Sequence, residues 1–505
     1  MKNAIFFTSG KGNCYLYSPY RNQLRLCHPL ITHFHNLDQQ GVILRHWLSS
    51  FRKTQQIVLE GMGRFTYSEA SYQLKKYRFL KKHGFLKPAK RIHIDYRLKN
   101  SDIKKNIASV KQIIFEVTED CNLDCTYCTY SKYYINKERH DGYLSFEDVR
   151  LTLTELISKR TPSPANHLIV SFYGGEPLKN FTFIKEVVDF TSQYPKNQIS
   201  FTYSLSSNGL LLKKYIDFLV EHAFELSVSL DGDEVANSFR VTKNNKPSFD
   251  ITTRNLDYVR KTYPDFFEKN LSFLTVLHNR NSYKSVYGFF KERYGKVPQM
   301  SDVNPVNLNP LHEKEFREKL QSRPITLQEE QESVRKMELD HPKVREMAKL
   351  TEYYSGFVFK NYLEMISPNH GKVAAKRFVP TATCSPFSIR AYFSVDGTVL
   401  PCEHISPFHG IGTYSKNSLK LDPKGIASLY NRYYDKISQF CEKCYFIDNC
   451  QECFFSAGIE TDHPSCSFFT REKGFGDYLK KHYSDIENDY TFFRKTSQNL
   501  FNNES

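Results

Sequence analysis

Cys121, Cys125 and Cys128 lie in the run EVTEDCNLDCTYCTY, separated by three residues and then by two. Thiols gathered this tightly, in an odd number, have the spacing of metal or cluster ligands. A structural zinc takes four protein ligands in a closed tetrahedron. A [4Fe–4S] cube also offers four irons for ligation, so three cysteines leave one iron open to a small molecule. A second concentration follows at Cys384, Cys402, Cys441, Cys444, Cys450, Cys453 and Cys466. Of the twelve cysteines in the chain, only Cys14 and Cys27 stand isolated in the sequence. Burial as small hydrophobes does not explain such clustering.

The elements that must hold these thiols are legible in outline. A chain of 505 residues exceeds one ordinary core and implies roughly two to four domains. Between 106 and 310, apolar runs (QIIFEVT, HLIVSFYGG, ISFTYSLSSNG, FELSVSLDG, LSFLTVLHN and a weaker sixth near DVNPVNL) alternate with helical stretches. Repeated β and α segments imply a parallel sheet of α/β class. The cysteine loop follows the first strand, and strand ends of a βα barrel line its active site. Residues 1–105 read as three short strands, helical patterns around 38–51 and from Thr66 with a Ser N-cap, and a polar linker, KPAKRIHIDYRLKNSDIKK. Residues 311–378 read as a charged helical bridge, 379–470 as a cysteine-rich domain of irregular turns, and 471–505 as a helix and polar tail.

The net charge of +15 favours anionic partners, but the basic residues are scattered rather than massed on one tail. The first residues lack the apolar core of a signal peptide. No run approaches the length of a membrane span. These features lead to the expectation of a cytoplasmic protein without a membrane partner, in a compartment too reducing for structural disulfides.

The CxxxCxxC loop, with Tyr127 before Cys128, resembles the signature of the radical S-adenosylmethionine (SAM) superfamily. YGGEP, from Tyr173 to Pro177, resembles its GGEP element. SSNG (Ser206–Gly209) and SVSLDGDEVANSFR fall at the next two strand ends. The resemblance implies a partial (β/α)6 TIM-like barrel in which Cys121, Cys125 and Cys128 ligate a [4Fe–4S] cluster and SAM chelates its open iron. One electron then cleaves SAM to a 5′-deoxyadenosyl radical, which takes a hydrogen atom from the substrate. It also implies SAM contacts from Tyr127, Gly174, Gly175, Glu176, Pro177, Ser206, Asn208, Ser229 and Arg240, and an external electron donor such as flavodoxin or ferredoxin.

The later cysteines resemble the SPASM domain of peptide- and protein-modifying members of that superfamily. That implies two auxiliary [4Fe–4S] clusters, three clusters in all. Cys441, Cys444, Cys450 and Cys466 would ligate the outer one, and Cys384, Cys402 and Cys453 the inner one. Glu403, just after Cys402, is then the candidate catalytic base; His404 and His409 read as polar loop residues. Residues 1–105 resemble the PqqD-like winged helix that binds the leader of a precursor peptide by strand addition. Strand Gln23–Cys27 and the helix from Ser68 would form its groove, with Arg25, Lys75, Lys76 and Arg78 facing acidic leader residues. Together these imply a maturase that installs an oxidative crosslink, thioether or C–C, in a ribosomally made peptide. A peptide epimerase and an anaerobic sulfatase-maturing-type enzyme are the enzymatic alternatives. A zinc-ribbon protein that binds nucleic acid is the non-enzymatic one; no nucleic-acid partner is expected, because phosphate affinity needs a concentrated basic face.

Overall fold

The computed structural model describes residues 3–21, 23–54, 56–89, 94, 96–134, 141–303, 308–320, 381, 383–447, 450, 453–456, 466 and 469–488. They fall into two compact units. One draws on 1–96, 381–383 and 432–488, the other on 97–320 and 384–431. Most of the expected helical bridge at 311–378 lies outside the described residues; within them it contributes the helix Glu313–Leu320.

The larger unit is built on one ten-stranded sheet. Its parallel half runs β6 (Gln112–Thr118), β7 (His167–Gly174), β8 (Ser200–Ser207), β9 (Glu225–Ser229), β10 (Leu271–Leu277) and β11 (Gln299–Asp302), each beside the next. β6 is buried along six of its seven residues, as expected of a strand covered on both faces. The intervening helices bury one stripe each. Phe146–Ser158 buries Val149, Leu153, Leu156 and Ile157, and its first turn is held by Asp148 accepting from the Ser145 backbone at 3.0 Å. The sixth strand is Gln299–Asp302, just before the stretch expected from the sequence. QMSD is polar and sits at the sheet edge, so no apolar run marks it.

On the other side of β6 lies β12 (Arg390–Phe393), parallel to it with Tyr392 opposite Ile114 and Phe393 opposite Phe115. β13 (Thr398–Leu400), β14 (Gly412–Ser415) and β15 (Ser418–Leu421) continue the sheet as an antiparallel meander. Part of the segment read as irregular turns is therefore sheet. Without β12, the apolar strand β6 would present an unpaired edge.

In the smaller unit, β1 (Ile5–Thr8), β2 (Cys14–Ser18) and β3 (Gln23–Cys27) form the expected antiparallel meander, with β3 outermost. The helical signal around 38–51 resolves into two helices, Pro29–Gln39 and Leu44–Ser49. A hairpin of β4 (Ile57–Leu59) and β5 (Gly63–Phe65), too short to leave a pattern, precedes the helix Tyr67–Lys82. That helix is capped by Thr66 rather than Ser68. The Thr66 hydroxyl accepts from Glu69 N at 3.1 Å, and Glu69 accepts in return from Thr66 N at 3.4 Å, a capping box. One face of the sheet packs on these helices through Leu16, Leu30, Phe34, Leu74 and Tyr77. The other face packs Ile5, Phe7 and Tyr17 against Tyr445, Phe475 and Leu479, the last two from the helix Glu472–Asn488. The supposed linker holds a helix, Asn100–Ala108, anchored in the larger unit by buried Ile103 and Ile107.

Candidate functional site

The C-terminal ends of the parallel strands open onto a cavity of about 350 Å³. Cys121, Cys125 and Cys128 line it, together with Tyr127, Gly174, Gly175, Ser206, Asn208, Ser229, Arg240 and Glu403. Residues spread over nearly three hundred positions thus meet at one site, delivered by the ends of several strands and the loops after them.

The cysteine loop is tied down by backbone. Asp124 N donates to Val241 O at 2.7 Å and Thr126 N to Phe239 O at 3.0 Å, so the loop pairs with the segment carrying Arg240. Asp120, just before Cys121, accepts from Lys179, from Lys243 at 2.8 Å and from the Tyr143 hydroxyl at 2.6 Å. It staples the start of the loop to the loops after β7 and β9. The Tyr127 hydroxyl donates to the fully buried Asp231 and accepts from Arg240 at 2.8 Å. Its ring stacks on His278 with centroids 5.8 Å apart. The guanidinium of Arg240 is therefore aimed by a tyrosine inside the cysteine motif itself.

Gly174 and Gly175 bring β7 onto the end of β6. Gly175 N donates to Thr118 O at 2.7 Å and Glu176 N to Asp120 O at 2.9 Å. A Cβ on Gly174 would lie 2.2 Å from Thr118 O, and one on Gly175 2.2 Å from Asp120 O. Only glycine permits this approach.

Glu176 and Pro177 do not line the cavity. The Glu176 carboxylate is fully buried and accepts from the Ser207 hydroxyl at 2.9 Å, Asn208 N at 2.7 Å and Leu178 N at 3.2 Å. Burial pushes its carboxyl up to about 7, against the pull of those three donors. Glu176 positions the Ser206–Gly209 turn, and through it Asn208, whose amide reaches Cys121 Sγ at 3.6 Å.

Glu403 enters the cavity from the turn after β13. Arg390 donates to its Oε1 at 2.5 Å, and His404 Nε2 lies 3.5 Å from the same oxygen. Oε2 is buried with no hydrogen-bond partner. A buried carboxylate oxygen in that state is costly and is satisfied only by a donor that arrives. Tyr130, Tyr134, Tyr173 and Tyr392 also line the cavity and were not singled out from the sequence. The repeated tyrosines of CTYCTYSKYY were a signal for the first two; Tyr392 had none, since its place depends on β12 pairing with β6.

The donor set fits a cluster. Burial pushes the Cys125 thiol up to about 12, with Arg240 opposing, so a ligating thiolate there requires a metal to replace the proton. In the smaller unit, burial also pushes Cys441 up to about 12, and neighbouring Cys450, Cys466 and Cys444 act in the same direction. Cys453 is in the same unit, and Cys384 and Cys402 are in the larger one. Among the described residues no three His, Cys, Asp or Glu converge on a single-ion site. A cube taking one thiolate per iron spreads its ligands wider than one tetrahedral zinc does. No helix among the described residues is long and apolar enough to cross a membrane.

Residues 115–286 match the Radical SAM superfamily, so a radical SAM domain spans the cysteine loop and strands β6–β10. The chain is 29% identical over 228 residues to a cysteine-type anaerobic sulfatase-maturating enzyme of Clostridium novyi, a match covering 42% of this chain and 59% of that protein. It is 25% identical over 219 residues to the radical SAM cyclopropyl synthase TigE of Paramaledivibacter caminithermalis, covering 41% and 43%. The chain thus spans about three-fifths or less of these relatives' lengths. Among solved structures, native anSMEcpe with bound AdoMet shares the fold at a TM-score of 0.52 and 18% identity, over 77% of this chain and 99% of that one. The same protein with AdoMet and the Cp18Cys peptide aligns at 0.51.

Proposed function

We propose that this radical SAM domain serves a peptide maturase that installs an oxidative crosslink, thioether or C–C, in a ribosomally made precursor. The observation that carries the reading is that the cysteine loop and Glu403, far apart in sequence, line one cavity. In this reading the six parallel strands form a partial (β/α)6 barrel. Cys121, Cys125 and Cys128 hold a [4Fe–4S] cluster, and Cys441, Cys444, Cys450 and Cys466 with Cys384, Cys402 and Cys453 hold two auxiliary ones. Such a cluster, with SAM bound, would supply one-electron chemistry for hydrogen-atom abstraction from the substrate.

The chain's own residues bind, orient and move protons. Arg240, aimed by Tyr127, takes the SAM carboxylate as a charge-assisted pair. The Gly174–Gly175 backbone lets SAM lie against the β7 end, and Ser206, Asn208 and Ser229 offer hydrogen bonds along its length. Glu403 is held by Arg390 with Oε2 turned to accept a proton from the oxidised substrate. The outer strand β3 and the helix Tyr67–Lys82 take the leader as an added strand. An external donor such as flavodoxin or ferredoxin supplies the electron, and the protein works in the cytoplasm.

Co-expression with a short open reading frame beside the gene tests this by intact mass. Loss of two hydrogens from the peptide supports a crosslink. A formylglycine at a Cys or Ser would instead establish sulfatase-type maturation, which the similarity to the Clostridium novyi enzyme favours as the second reading. An unchanged mass in ordinary water, with one deuterium gained at a Cα when the experiment is repeated in deuterated water, would establish epimerisation. Glu403→Gln should lower crosslinked product by roughly 10²–10⁴-fold while 5′-deoxyadenosine still forms; undiminished product would remove Glu403 from the mechanism.

A further inference from the structure

Cys14 and Cys27, isolated in the sequence, face each other in the fold. They are direct partners in the β2–β3 register, at the end where β3 leads into the helix Pro29–Gln39. Directly paired antiparallel residues have Cα atoms ~4.5 or ~5.5 Å apart, inside the ~4.4–6.8 Å that a disulfide spans. Both side chains point to the same face, toward the helices: Cys27 is buried in that core and Cys14 packs against it while remaining half-exposed. Thr8, the β1 partner of Cys14, puts its hydroxyl 3.7 Å from Cys14 Sγ.

We propose that Cys14 and Cys27 are a reversible thiol–disulfide pair, a redox-sensitive clip that fastens the outer strand of the N-terminal sheet to its neighbour. In a reducing compartment such a pair is redox-sensing rather than structural. The two thiols have unequal roles. Cys14 is reached from solvent, and its thiolate attacks a low-molecular-weight disulfide, forming a mixed disulfide and expelling one thiolate. Cys27 then attacks the Cys14 sulfur, expels the second thiolate and closes the bridge. Two protein thiols are oxidised and one small disulfide is reduced to two thiols. Burial pushes the Cys27 thiol up to about 12, with Thr32 and Lys76 pulling it down. It is therefore a poor first attacker, and its place directly opposite Cys14 in the register makes it the second. The clip rests on backbone register alone and stands whether or not β3 receives a leader.

The test exposes the anaerobically purified full chain, with its iron and sulfide intact, to glutathione disulfide. Remaining thiols are then alkylated and the digest is mapped by mass. The expected product is a Cys14–Cys27 link, lighter by two hydrogens and reopened by dithiothreitol, at a dose that leaves the iron content unchanged. In Cys27→Ser a glutathione adduct should accumulate on Cys14; in Cys14→Ser, Cys27 should stay a thiol. Cys14 is half-exposed, so the second variant keeps the test valid if the first fails to fold. Alkylation of both cysteines in the treated wild-type chain, or a persistent Cys14 adduct without a link, overturns the proposal.

Discussion

Cys125→Ala protein, purified without oxygen and given SAM and a reductant, is expected to release no 5′-deoxyadenosine. Cys125 is the middle thiol of the proposed three-ligand set, and a cube already one protein ligand short does not hold its geometry on two. The substitution leaves the fold in place. Cys125 lies in a loop whose pairing to the Arg240 segment is made by Asp124 N and Thr126 N, not by its own side chain. The secondary structure and unfolding midpoint should therefore stay near wild type while cleavage falls to background. Chromatography of the nucleoside decides it. Cleavage at wild-type rate would show that the thiols of this loop do not hold the SAM cluster. Cys14→Ala serves as the control that should cleave normally.

Gly175→Ala should damage both the fold and the site. Its new Cβ would lie 2.2 Å from Asp120 O, 2.6 Å from Asp120 C and 2.6 Å from Glu119 O. These are backbone atoms: Asp120 O is held by Glu176 N and the preceding Thr118 O by Gly175 N, and Asp120 is the residue that leads into Cys121. Relief requires moving the end of β6, which takes the first ligand with it. Overpacking of this kind costs about 1–3 kcal/mol or more, read as a lowered denaturant midpoint, and SAM binding by equilibrium dialysis should be lost with it. Gly288 is the contrast. It sits in the helix Tyr283–Tyr294 with nothing within 4 Å of a Cβ, so Gly288→Ala should be neutral or stabilise by up to ~1 kcal/mol. Equal effects from the two substitutions would refute the close-approach account.

The sequence exposed what is written in local pattern. Strands β6 to β10 were legible because their apolar runs ended in polar or Gly-containing turns. The cysteine loop and the serines were legible because their spacing is local. What it hid depends on pairing between distant segments. β12 is four residues in a turn-rich stretch, and its pairing with β6 on one side and β13 on the other makes it a strand. Tyr392 enters the cavity by that pairing. The same limit made Cys14 and Cys27 look unrelated, since a register is needed to set them opposite each other. The motif around Glu176 was visible in the sequence; what the sequence could not show is that its carboxylate accepts from Ser207 and Asn208 and so organises the turn after β8.

The helix Glu472–Asn488 covers a face of β1 and β2. Gly10 N donates to Ser484 Oγ at 2.7 Å, and the Tyr15 hydroxyl donates to Glu487 at 2.6 Å. A ribosome delivers the chain in the other order. The first sheet emerges with Phe7 and Tyr17 bare and must wait for residues near 480 before that face is covered. At roughly 5–20 residues per second the delay is on the order of half a minute or more. Throughout synthesis the nascent chain carries an aromatic surface whose mate has not yet been made, and a chaperone that shields it would govern how much enzyme a cell obtains.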